Sequence, residues 1–178
     1  MLTETARQHL LSIARDSVAA RVSGQAPLLP HGGSPLSASG VFVTVKHRGH
    51  LRGCLGTLAP VEDLAREVAR CAADAASQDP RFRPITSDEL PDLSVDVSVL
   101  GPLERIDPCD PDAIVIGEHG LVVEQGKCRG VLLPQVATER RWTRNQFLSQ
   151  TCIKANLPSD AWTHGATVYR FSADVFGD

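Results

Sequence analysis

The sequence predicts an α+β protein made of two related ββαβ-like halves, an internal duplication, with an added N-terminal helix. Three observations carry this. A stripe of apolar residues recurs at three- and four-residue intervals near the N-terminus, several later segments alternate apolar and polar residues, and both halves repeat the order hairpin, helix, strand. The 178 residues fit a single domain with sub-halves of about 1–101 and 102–178. An apolar content of 42% supplies a core.

Ala6, Leu10, Ile13, Ala14 and Val18 place the first helix over about Thr3 to Val22. Gly24 to Gly40, rich in Gly, Pro and Ser, is expected to be a loop. Val41, Val43 and Val45 alternate with Phe42, Thr44 and Lys46. A turn at His47-Arg48-Gly49 leads to a second strand from Leu51 to Thr57, closing a hairpin. Pro60, Glu62 and Asp63 suit the first turn of a helix that reaches Ser77 through Leu64, Val68, Cys71 and Ala75. Pro80 and Pro84 impose an irregular loop. Thr86 and Glu89 have capping-box spacing for a short helical turn closed by Pro91, and Leu93 to Val99 alternates as a strand.

In the second half, Ile114–Ile116 reads as a short strand. Leu121–Val123 and Val131–Leu133 flank a turn at Gln125-Gly126, and Leu133-Pro134-Gln135 reads as a strand end. Thr143 with Gln146 caps a helix that ends near Asn156 and Pro158, and Ala166–Phe171 is the last strand. Gly49 to Leu55 and Gly126 to Leu132 share the pattern Gly-x-x-Arg-Gly-x-Leu on the second strand of each hairpin, which suggests duplication. A site between the halves is the default place for a ligand.

A net charge of −3 argues against a dedicated nucleic-acid binder. No apolar run has the length of a membrane span and no signal-peptide pattern opens the chain, so a cytoplasmic location with no membrane partner is expected. Five widely spaced cysteines without a Cys-x-x-Cys pair argue against a disulfide framework and a zinc ribbon. His47, His50 and Cys54 suggest a polar hairpin tip rather than a metal site, so no metal is expected. Phosphate-loop, nucleophile-elbow and dinucleotide signatures are absent.

Leu51-Arg52-Gly53-Cys54-Leu55-Gly56-Thr57 is the most unusual stretch. Strict strand alternation puts Arg52, Cys54 and Gly56 on one face, where the guanidinium would favour a Cys54 thiolate. Two glycines in a strand fit a close approach of another backbone or a ligand. Cys54 is therefore the candidate catalytic residue beside a glycine-floored pocket. The competing account makes it a small apolar filler against the second helix, and the hairpin register decides between them. Asp79-Pro80-Arg81-Phe82 is a second candidate, either a turn with a solvated arginine or part of a site. His119 reads as a turn histidine or a general base, and Arg140, Arg141 and Arg144 as a solvated basic run.

Six ordered blocks carry a resemblance: Leu51-Arg52-Gly53-Cys54-Leu55-Gly56, Asp79-Pro80-Arg81-Phe82, Val97-Ser98-Val99-Leu100, Gly117-Glu118-His119-Gly120-Leu121, Leu133-Pro134-Gln135-Val136 and Ala161-Trp162. On these the chain resembles the AMMECR domain family, called AmmeMemoRadiSam system protein A in prokaryotes, over about residues 3 to 176. Leu55 stands where Ile is usual, and Asn156 where Gly is usual. The resemblance implies a two-part α+β fold and Memo-like and radical S-adenosylmethionine proteins as partners. It also implies a cleft lined by Arg52, Gly53, Cys54 and Gly56 with Asp79, Arg81 and Phe82 in its wall. It implies no particular reaction or cofactor. The expected function is binding of a small polar or anionic ligand in that cleft, with Arg52 on the anion and Cys54 as the thiol. A non-catalytic interaction or regulatory module is the alternative.

Overall fold

A computed structural model describes residues 2–26 and 38–178. Much of the expected Gly24–Gly40 loop lies outside the described residues. The protein is α+β, and its chain divides into two compact units, residues 1–100 with 174–178 and residues 101–173.

The first unit begins with α1 (Glu4–Val22), capped by the Thr3 hydroxyl, which accepts from the Ala6 amide. β1 (Gly40–His47) and β2 (His50–Thr57) form the hairpin. Arg48 (φ 51°) and Gly49 (φ 79°) make its two-residue turn, whose two left-handed positions match the strand twist. β1 pairs on its other side with β3 (Leu93–Leu100), so β2 is an outer strand. Val41, Val43, Val45, Val95 and Val97 share one face and are at most 3% exposed. Against them pack α1, through Leu10, Ala14 and Val18, and α2 (Leu64–Ser77), through Leu64, Val68, Cys71 and Ala75. Each fully buried Val or Leu contributes about 1.5–3 kcal/mol.

α2 starts later than the charge pattern suggests. Val61 exchanges two backbone hydrogen bonds with Ala38, holding the segment after Pro60 extended. Asp63 then caps the helix by accepting from the Arg66 amide at 3.1 Å, so Pro60 and Glu62 precede it. The Thr86–Glu89 turn is a 3₁₀ helix over Ser87–Asp92 that contains Pro91 rather than stopping before it.

In the second unit, β5 (His119–Gln125) pairs with β6 (Cys128–Leu132) and with β7 (Thr167–Gly177), and β4 (Glu104–Ile106) also pairs with β7. α4 (Arg144–Lys154) starts at Thr143, whose amide donates to Gln146 Oε1, and is followed by Asn156 at φ 59°. Phe147, Leu148 and Cys152 bury its inner face against Leu121, Val123 and Val168.

Three further elements differ from expectation. Ile114–Ile116 is a turn, not a strand. Ala113 and Ile114 are buried anchors, and the Val115 carbonyl accepts from the Glu118 and His119 amides. Pro134 opens a short helix, α3 (Pro134–Glu139), instead of only ending a strand. β7 runs six residues past Phe171, and its last part belongs to the first unit. There the Asp178 amide donates to the Val95 carbonyl and Asp174 pairs with Arg7.

Candidate functional site

Register settles the surroundings of Cys54. Thr44 pairs with Cys54 and Phe42 with Gly56, while Val45 pairs with Gly53. Cys54 therefore lies on the sheet face opposite the valines, beside Thr44 and Phe42, and is not a filler against α2. Its sulfur is partly buried and accepts from Thr44 Oγ1 at 3.2 Å.

Arg52 does not join it. The register slips between Val45 and Lys46, which pair with Gly53 and Leu51, so Arg52 is the unmatched residue of a β-bulge. Its guanidinium donates to Glu89 from Nε (2.7 Å) and Nη2 (3.0 Å) and to the carbonyls of Arg83 (2.7 Å) and Pro84 (3.2 Å). Both side chains of this pair are nearly buried, at 11% and 10% exposure. Arg52 holds Glu89 well below the usual carboxylate range, at about 2. The expected anion-binding, thiolate-favouring role of Arg52 is thus replaced by a mechanical one. It clamps the 83–89 segment to β2.

The glycines are not a bare floor either. A Cβ on Gly53 would stand 2.1 Å from the Ala75 carbonyl oxygen of α2. One on Gly56 would stand 2.2 Å from the Val41 carbonyl and 2.4 Å from the Phe42 ring. Their missing side chains admit a helix and an aromatic ring, so the expected glycine-floored pocket is overturned by internal packing.

Asp79 does meet Cys54, and it links Arg81 to the same place. Asp79, 4% exposed, follows the end of α2. Its Oδ2 accepts from the Cys54 amide at 2.9 Å and from Arg81 Nη2 at 2.7 Å, and its Oδ1 accepts from Arg81 Nε at 3.0 Å and the Arg81 amide at 3.1 Å. The carboxyl is held at about 2, chiefly by Arg81 and also by the Cys54 amide. The same contacts raise Arg81 above the ordinary arginine value, with a smaller contribution from the nearby Cys54. The Phe82 amide closes the turn onto the Asp79 carbonyl at 3.1 Å, and the Arg81 guanidinium lies 5.4 Å from the centre of the Phe82 ring. Arg81 remains 56% exposed. One carboxylate thus gathers the amide of a cysteine and a guanidinium that still faces solvent.

Two participants escape sequence reasoning. Glu89 carries a cap signature, which gives no sign that the same carboxylate takes an arginine 37 residues away. Thr44 stands out only once the register is known. His119 opens β5, its Nδ1 accepting from the Val115 amide at 3.0 Å. A cavity of about 350 Å³ lined by Thr57, Pro60, Asp63 and Arg66 and another of about 270 Å³ lined by Arg15, Leu90, Val95 and Asp178 both lie away from Cys54. Among the described residues, no three His, Cys, Asp or Glu side chains gather to hold a metal. No described helix is long and apolar enough to cross a membrane.

The chain and its fold are similar to those of other proteins. A protein of Methanosarcina mazei is 41% identical, the match covering 99% of this chain and 93% of that protein. One of Methanothermobacter thermautotrophicus is 49% identical over 77% of this chain and 74% of its own. The crystal structure of an uncharacterised protein from Pyrococcus horikoshii superposes with a TM-score of 0.90 at 35% identity, covering 99% of this chain and 93% of that one. The family model described as AMMECR1 matches residues 11–176, a span that includes both the Cys54 strand and the Asp79–Phe82 turn, and the chain belongs to the AMMECR1 family.

Proposed function

We propose that the protein binds a small polar or anionic ligand at the surface shared by Cys54 and Arg81. Cys54 is its reactive thiol, and the Memo-like and radical S-adenosylmethionine proteins implied by the family resemblance are its partners. The observation that carries this is the Asp79 carboxylate, which ties the Cys54 backbone and the Arg81 guanidinium to one point while leaving Arg81 open to solvent. Arg81 supplies the positive charge, Asp79 fixes its direction, and Phe82 supports its plane. Arg52, Gly53 and Gly56 hold the strand in place.

Paired reagents test the idea. Cys54 should react faster with iodoacetate than with iodoacetamide, relative to a free thiol compound, and Arg81→Gln should abolish that preference. A wild-type Cys54 without a preference for the anionic reagent would refute the anion site.

A second reading, a non-catalytic interaction or regulatory module, is favoured by the internal commitment of Arg52, Gly53 and Gly56 and by Leu51, 44% exposed on the outer strand. Co-purification of a Memo-like protein that is lost in Leu51→Asp but kept in Cys54→Ser would support it over the first.

A further inference from the structure

The geometry points to Thr44 as the positioning residue of the Cys54 sulfur, an inference that rests on the reading of Cys54 as the reactive thiol. Thr44 and Cys54 are direct cross-strand partners. The Cys54 amide is turned outward to Asp79, away from β1. That makes the two residues a non-hydrogen-bonded pair, the closer of the two antiparallel arrangements, with Cα atoms about 4.5 Å apart. Their side chains meet as this predicts, Thr44 Oγ1 donating to Sγ at 3.2 Å.

Two supports therefore act on one residue from different directions. Asp79 holds the Cys54 main chain from the outer edge of β2, and Thr44 holds the sulfur from β1. A hydroxyl donates more strongly to a charged acceptor than to a neutral one, so this contact strengthens when the sulfur is a thiolate. Threonine suits the task because its branched Cβ restricts χ1, so the hydroxyl spends little freedom in being held there. Among the described residues the Thr44 hydroxyl makes no other hydrogen bond.

The test is the alkylation rate of Cys54 by iodoacetamide in the full-length protein, read by peptide mass spectrometry against exposed Cys109 in the same molecule. Thr44→Val should slow Cys54 at least threefold with Cys109 unchanged, and Thr44→Ser should restore the wild-type rate. Equal rates in wild type and Thr44→Val would overturn the inference. So would a Thr44→Ser protein as slow as Thr44→Val, since there the hydroxyl is present and fails to restore the rate. A reactive Cys54 that ignores Thr44 sinks this inference alone, whereas an inert wild-type Cys54 sinks the thiol reading with it. Should Thr44→Val lose its native circular dichroism, comparing Thr44→Ser with Thr44→Ala decides the same question.

Discussion

Arg52 and Glu89 face each other through two parallel hydrogen bonds, Nε to Oε1 at 2.7 Å and Nη2 to Oε2 at 3.0 Å. The fork geometry matches the carboxylate, and two further guanidinium protons go to the Arg83 and Pro84 carbonyls. Glu89 also accepts from the Thr86 amide at 2.9 Å, so one carboxylate closes a helical turn and anchors it to β2.

Removing one partner of this nearly buried pair leaves the other uncompensated. Arg52→Ala should lower unfolding stability by about 3 kcal/mol, measured by urea denaturation. Cys54 should keep its preference for the anionic reagent, because Arg81 remains. Loss of that preference with the fold intact would return Arg52 to the site.

Acid should act through Asp79 and Glu89. Both are held at about 2, below their values in an unfolded chain, so their contribution is fully present above about pH 4.5 and is lost as pH falls towards 2. Asp79 contributes about 1–2 kcal/mol, discounted because its partner Arg81 is half exposed. Thermal melts from pH 7 to 2 should fall over that window, and Asp79→Asn should flatten the decline while lowering stability at pH 7.

Gly53→Ala should destabilise by about 3 kcal/mol, because its methyl group must displace the α2 backbone at Ala75 rather than a flexible side chain. Denaturant midpoints measure this directly. Gly126→Ala in the other hairpin meets open space, and its cost is the smaller one of holding alanine at φ 61°.

The cysteines should separate by reactivity. Burial pushes Cys71 up to about 12 and also raises Cys152, and both are at most 1% exposed. Neither should be alkylated in the native protein at pH 8, while exposed Cys109 should react readily, as mass spectrometry would show. Alkylation of Cys71 before unfolding would contradict the packing of α2.

Elements governed by neighbours in sequence are legible from the chain alone. The Val41–Val45 and Leu93–Val99 alternations, the Thr143–Gln146 cap and the left-handed Asn156 are read directly. Elements governed by distant partners are not. Ile114–Ile116 looks like a strand because β-branched residues suit strands, yet Ile114 and Ile116 anchor a turn. β4 has too few residues to show a period and exists through its pairing with β7. The same divide runs through the site. Cys54, Asp79 and Arg81 stand out as unusual residues, but their grouping depends on one hydrogen bond across 25 positions. Arg52 would accompany Cys54 only under unbroken alternation, which the bulge removes.

That single extra residue in β2 divides labour along three consecutive positions. Upstream of Gly53 the strand serves as a tether, and downstream it presents a sulfur. Relatives can therefore exchange the tethering partners in the 83–89 segment without disturbing the thiol's neighbours, whereas deleting one residue beside the bulge would put the tether and the sulfur out of step at once.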